Sequence, residues 1–237
     1  MTAKNDVVYI LKNGNWKTPP EELRLSLRSL CNFPVRKVWF IGGWPGGFMP
    51  DGVIEHRQEG ATRYERVMDS ISLACKQREI SREFWLFNDD FFVLRKLEDP
   101  RNYDRGDLAE HVRALYSRYG HMSEYAKVLQ ETKNSLQEAG KGTKDYTVHL
   151  PMLIDKEAAL EALDSVPGLV SFRSWYGNMV GLESETIQDV KINDVAQYPG
   201  DEWDYCSTSD RAFISGNVGR YLRDKFKKPS RWEEVTG

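Results

Sequence analysis

Apolar residues along this chain recur with two periods. Val7 to Leu11 is a short β-branched run that predicts a strand, and NGNWKTPP, Asn13 to Pro20, reads as a loop. Over EELRLSLRSL, Glu21 to Leu30, the residues Leu23, Leu27 and Leu30 share one helical face. Prolines before that run and glutamates in its first turn suit a helix start. Val35 to Ile41 predicts a second strand closed by the GGWPGG turn, Gly42 to Gly47, and Val53 to His56 a short third one. Thr62, with Glu65 three residues on, has the capping-box arrangement. Tyr64, Val67, Met68, Ile71 and Ala74 follow at helical spacing, and Phe84 to Phe87 is the next strand. Strand, helix, strand, strand, helix, strand predicts an α/β fold: a mainly parallel sheet flanked by helices.

Beyond the fourth strand the period stays helical. Residues from about 105 to 140 are polar with tyrosines at 116, 119 and 125, and end in EAGKGTKD. They predict a helical insertion or lid beside the sheet, followed by a flexible connector. Asp155 to Leu163 predicts a short helix, and RAFISGNVGRYLRDKF a last one with Asp210 as N-cap. At 237 residues, with no internal repeat, the whole chain reads as a single domain.

Composition narrows the class. Charged residues are 29% and the net charge is −3, which excludes a generally basic nucleic-acid binder but not a local basic patch. Arg211 to Arg231 is such a patch: seven Lys or Arg and one Asp, a solvated helix face or a contact for an anionic acceptor such as a DNA backbone. Lys225, Lys227, Lys228 and Arg231 are the candidate contacts. Cys31, Cys75 and Cys206 are odd in number and widely spaced, which predicts neither a disulfide framework nor a zinc site. Neither a leader nor an apolar run of the ~20 residues needed for a membrane span is visible, so the expectation is a soluble, cytoplasmic protein.

One stretch breaks the apolar pattern. In FWLFNDDFFV, Phe84 to Val93, two carboxylates follow a buried-strand run, and apolar residues resume at once. In α/β sheets ligands collect at the carboxyl ends of strands. Asp89 and Asp90 are therefore candidate ligands for a hard divalent cation, Mg²⁺ or Mn²⁺, held together with substrate phosphate oxygens. The alternative is a strand-end Asx turn, which gives no role to Phe91 and Phe92.

Together these residues resemble the Stealth family, which includes bacterial capsular polysaccharide phosphotransferases and the lysosomal-enzyme N-acetylglucosamine-1-phosphotransferase. DVVY (Asp6 to Tyr9), ELRLSLRSL with FWLFNDDFFV, His149-Leu150-Pro151 with Arg173, and Asn193-Asp194 with KPSRWEE are similar to its four regions, in the same order. Asn13 stands where the family has an aspartate. The compact form looks most like actinobacteriophage members, usually called glycosyltransferases.

The resemblance implies a glycosyltransferase-A-like (Rossmann-like) fold and a nucleotide-sugar donor, commonly a UDP-sugar. The sugar would go to an acceptor hydroxyl, with a 5-hydroxymethylpyrimidine in phage double-stranded DNA among the acceptors. It equally implies sugar-1-phosphate transfer to a polysaccharide, and a non-catalytic sugar- or nucleic-acid-binding module is the reading from another class. By resemblance, His149 is the candidate general base, with Asp194 as rival or partner, and Asp90 serves catalysis as well as the metal. Asp6, Arg24, Arg28, Asn88, Arg173 and Asn193 are implied to hold the donor, the guanidinium forks on its phosphates. Arg63 and Arg66 are weaker candidates. His56, His111 and His121 read as surface or packing residues.

Overall fold

Apolar runs and capped amphipathic segments place most elements where their patterns predict them. The computed structural model describes residues 5–14, 20–200 and 202–234. Strand β1 (Asp6–Leu11) leads to helix α1 (Glu21–Ser29), then β2 (Val38–Gly42), β3 (Gly52–Glu55), α2 (Arg63–Lys76), β4 (Glu83–Phe87) and β5 (Phe91–Val93). The middle holds β6 (Tyr103–Asp104), α3 (Leu108–Tyr119), α4 (Glu124–Glu138), β7 (Met152–Asp155), α5 (Lys156–Asp164) and α6 (Phe172–Met179). The last third holds β8 (Glu185–Thr186), β9 (Lys191–Ile192), β10 (Tyr205–Thr208), α7 (Asp210–Ser215) and α8 (Asn217–Lys225). Most of the loop expected over Asn13 to Pro20 lies outside the described residues.

The main sheet has the order β3-β2-β1-β4-β7. The first four strands pair in parallel, and β7 runs antiparallel on the edge of β4. Alternate residues of each strand feed opposite faces. Val8, Ile41 and Leu86 pack with α2 and with Leu108, Leu129, Met152 and Trp175. Val7, Tyr9, Phe40 and Phe87 pack with Leu23 and Leu27 of α1 and with β5. A small sheet, β5-β10-β9, backs onto α7 and α8 through Phe92, Cys206, Phe213 and Leu222. The coarse expectation, α/β with a mostly parallel central sheet between helices, is met.

The departures have local causes. Helices α3 and α4 contribute Leu108, Val112, Leu129 and Leu136 to the main core, so the 105–140 segment is part of the body and not a lid laid over it. The expected flexible connector is a clasp: Leu108 N–H donates to Thr143 O at 2.9 Å, and Arg105 N–H to the carbonyl of the fully buried Asp145 at 2.9 Å. The terminal helix is two helices. A Cβ at Gly216 would lie 2.3 Å from Ala212 O, and the extended backbone there, φ −96°, ψ 173°, turns the chain between α7 and α8.

Candidate active site

The NDD turn joins the two sheets, since β4 belongs to the large one and β5 to the small one. Phe91 and Phe92 therefore resume the apolar pattern because they are a strand, with Phe91 facing Tyr9 and Phe87 and Phe92 stacked on Phe213. Two serines of α1 lock β5 in place: Ser26 Oγ donates to Phe91 O at 2.6 Å, and Val93 N–H donates to Ser29 Oγ at 3.0 Å. The carboxylates thus sit on a turn held firmly at both ends.

That turn opens into a cleft of about 590 Å³ at the carboxyl ends of β1 and β4, facing the first turns of α1, α2 and α6. Four acids line it, Glu22, Asp89, Asp90 and Asp210, and four cations, Lys12, Arg63, Arg173 and Lys191. Asp90 is anchored: its Oδ2 accepts from Ser207 Oγ at 2.7 Å and from Lys191 Nζ at 3.1 Å. Among the described residues Asp89 forms no ion pair, and Lys12 acts on it only at longer range. Burial, and then the Asp90 charge beside it, push its carboxyl above the usual carboxylate range. Glu22 accepts a hydrogen bond from Thr208 Oγ1 at 2.9 Å. Burial, reinforced by the charges of Asp89, Asp90 and Asp210, raises it to about 7. Its acidic place in a helix first turn gave no hint of this.

A second chamber, about 400 Å³, adjoins the first across the shared walls Arg63, Tyr64, Asn88 and Arg173, and reaches His149. His149 Nδ1 lies 2.8 and 3.0 Å from the Oδ2 and Oδ1 of Asp189. Asp189 also accepts from the His149 N–H at 3.2 Å and from Arg105 Nη1 at 3.2 Å. Burial opposes ionisation of Asp189, yet the His149 and Arg105 contacts hold its carboxyl below the ordinary range. A carboxylate only accepts, so in the neutral imidazole the proton sits on Nδ1 and Nε2 carries the lone pair. Asp189 lies forty residues from its partner, and no local pattern in the sequence marks it.

Arg173 stands between the chambers. Its Nη1 donates to Leu150 O at 2.6 Å, fixing the residue next to His149, and its guanidinium lies 5.3 Å from the Phe91 ring centre. The buried Nη2 has no hydrogen-bond partner among the described residues, and burial lowers the group to about 10.

Several expected donor contacts lie elsewhere. Asp6 is fully buried at the opposite, amino end of β1. It accepts from Arg36 Nε and Nη2 at 2.8 Å each, and from Trp39 Nε1 and the Ser81 N–H at 3.0 Å each. It is a structural ion pair, not a donor contact. Arg28 holds the Glu233 carboxylate with two hydrogen bonds, 2.8 and 2.7 Å, and donates to Phe226 O. Arg24 lies 3.8 Å from the same glutamate and over the Phe48 ring. Arg28 holds the closing PSRWEE segment to α1, Arg24 keeps a buried Nε with no hydrogen-bond partner among the described residues, and neither lines the cleft. Asn193 and Asp194 are exposed in the turn after β9, where Asp194 Oδ1 accepts from the Ala196 N–H at 2.8 Å. Asp194 therefore does not stand beside His149 as rival or partner.

The basic run is also displaced. Arg231 sits 3.7 Å from Asp51 and donates to Arg36 O, and Lys227 packs by the last turn of α1. Glu22, in the first turn, faces the cleft, so about 9 Å of helix separates the two ends. Lys225, Lys227, Lys228 and Arg231 do not line either chamber.

Among the described residues, no group of three or more His, Cys, Asp or Glu side chains is arranged to hold a metal ion, and no helix is long and apolar enough to cross a membrane. A pair of carboxylates does fit a hard cation that takes its remaining oxygens from phosphate and water. The raised proton affinity of Asp89, which its backbone hydrogen bond and Lys12 offset only in part, is the feature such a cation would relieve. No protein-family model matches this chain, and no curated protein matches it.

Proposed function

We propose that the protein transfers a group from a nucleotide-activated sugar, a UDP-sugar first among them, to an acceptor hydroxyl. One observation carries this reading: a half-buried carboxylate pair, a guanidinium with an unpartnered buried nitrogen and a His–Asp dyad line two adjoining chambers at the carboxyl end of a parallel sheet. Asp89 and the remaining oxygen of Asp90 would hold a divalent cation, which supplies charge neutralisation for a diphosphate leaving group. Lys12, Arg63 and Arg173 offer donors to phosphate oxygens, and Arg173 Nη2 gains the partner it lacks. Ile10, Val67 and Leu86 give the cleft an apolar wall for the uncharged parts of the donor. His149 Nε2 takes the proton from the acceptor hydroxyl as the new bond forms, and Asp189 stabilises the imidazolium that results.

Sugar-phosphate transfer is the second reading, favoured by Arg63 and Arg173 lining the same chamber as His149. Two guanidiniums beside the base suit attack at phosphorus, where negative charge gathers on the equatorial oxygens. The deciding experiment incubates the protein and Mg²⁺ with a panel of nucleotide sugars and, as acceptors, free saccharides and hydroxymethylated duplex DNA. Release of UDP supports glycosyl transfer, and release of UMP supports sugar-phosphate transfer. Release of neither, with donor binding intact, supports a binding module instead.

A further inference from the structure

The two chambers differ in charge. Four acids line the cleft beside Asp89, but among the described residues no aspartate or glutamate lines the chamber of His149. Its walls carry two guanidiniums, Arg63 and Arg173. The carboxylates behind those walls are spent on the chain itself. Asp189 is held by His149 and Arg105. Asp145 is fully buried; one oxygen accepts from Thr147 Oγ1 at 2.6 Å, and the other lies 2.6 Å from His111 Nδ1.

Neither guanidinium meets a carboxylate. Arg173 Nη1 donates to the Leu150 carbonyl, and Asp90 acts on the group only at longer range. Arg63 is exposed and forms no ion pair among the described residues. Aromatic faces hold it instead: its guanidinium lies 4.8 Å from the Tyr64 ring centre and 6.0 Å from that of Tyr125. Its Nη2 donates to the Tyr64 hydroxyl at 2.7 Å, and its Nε and Nη1 make no hydrogen bond among the described residues. Stacking fixes a guanidinium through its face and leaves the donors on its edge for an oxyanion.

The chamber also has groups that suit hydroxyls. Tyr125 donates its proton to Thr147 Oγ1 at 2.9 Å and Thr147 donates onward to Asp145, so the Tyr125 oxygen is left to accept. The Asn88 side chain, on the wall shared with the cleft, makes no hydrogen bond among the described residues. A volume of about 400 Å³ is that of a small-molecule pocket.

We propose that this chamber binds a saccharide bearing its own anionic group, a phosphate or a carboxylate, with the anion on Arg63 and a hydroxyl towards His149. Lys12 and Arg173 then remain for the donor phosphates. An uncharged sugar would leave Arg63 unanswered. Use of this saccharide as the acceptor rests on the transferase reading, whereas its binding does not. Arg63 borders both chambers, so the competing assignment is the donor diphosphate, and simultaneous binding separates the two.

The test is calorimetric titration of the full chain with glucose 6-phosphate and with glucuronate, and with glucose as the uncharged control, each with and without saturating UDP and Mg²⁺. The proposal expects saturable binding of a charged sugar, about tenfold or more tighter than glucose and weakened by salt. That binding falls about tenfold in Arg63→Gln and persists with UDP present. Arg63 is exposed, so the variant folds. Charged sugars bound no better than glucose, binding unchanged in Arg63→Gln, or displacement of the charged sugar by UDP would each overturn it. Charged-sugar binding by a protein that fails to bind UDP would leave this site standing while rejecting the transferase.

Discussion

Asp6 and Asp89 occupy opposite ends of neighbouring strands, and their surroundings differ in kind. Asp6 is fully buried, and Asp89 is half-buried in the wall of the cleft. Asp6 meets a guanidinium fork, an indole N–H and a backbone N–H, so its charge is answered within the protein. Asp89 meets another carboxylate, and burial together with that charge raises its proton affinity. The same contrast separates Arg28, whose donors are taken by Glu233 and backbone carbonyls, from Arg173, which keeps a buried nitrogen unpaired. A charge satisfied by its own chain is architecture. A charge held in place and left unsatisfied is prepared for something that arrives from outside.

Exchanging the two aspartates' roles by mutation gives the widest separation. Asp6→Ala strands the Trp39 and Ser81 donors and Arg36, and should cost about 3–5 kcal/mol of stability in urea unfolding. Asp89→Asn should leave stability unchanged or raised while removing transfer activity. Equal destabilisation by both would erase the distinction between the two ends of the sheet. Next in size, His149→Ala should lower turnover about a hundredfold or more with donor affinity kept, as expected for a base. Asp189→Asn should lower turnover less. Loss of donor affinity with normal turnover at saturation would make His149 a binding residue.

Much of this contrast was visible in the sequence as pattern, though not as role. Parallel strands buried on both faces are continuous apolar runs, and Thr62 with Glu65 signs the start of α2 through the capping box that the structure shows. His149 was singled out through the family resemblance, whereas the NDD interruption stood out because it breaks an apolar run. Asp189, Glu22 and strand β7 did not, because each acquires its meaning from residues far along the chain: His149, the Asp89–Asp90 turn, and the edge of β4. Arg24, Arg28 and Asp6 carry the right chemistry for phosphate or metal in the right order along the chain. Whether a charge is already spent on a partner such as Glu233 or Arg36 is a three-dimensional fact.

Glu22 sharpens the comparison through pH. Its carboxyl binds a proton more tightly in the folded protein, at about 7, than the ordinary value of 4.5. The folded state therefore holds the extra proton across that window, and its contribution to stability is present below about 4.5 and lost as pH rises through about 7. Glu22→Gln should flatten that slope in denaturation curves taken across the window. An unchanged slope would mean that the acid cluster around Asp89 is better solvated than its burial implies. The smallest effect is expected from the basic run. Replacing Lys225, Lys227, Lys228 and Arg231 together by Gln should leave donor binding within about twofold, since surface changes away from a site are near neutral. A large loss would place a ligand at the amino end of the sheet after all.

The most direct measurement is calorimetric titration with UDP, with and without Mg²⁺, on the unaltered protein, Asp89→Asn, Arg173→Gln and Arg28→Gln. The account predicts Mg²⁺-dependent binding that is lost in Asp89→Asn and Arg173→Gln and retained by Arg28→Gln in whatever fraction stays folded. No UDP binding by the unaltered protein, or binding that survives excess EDTA and the Asp89→Asn change, would contradict it.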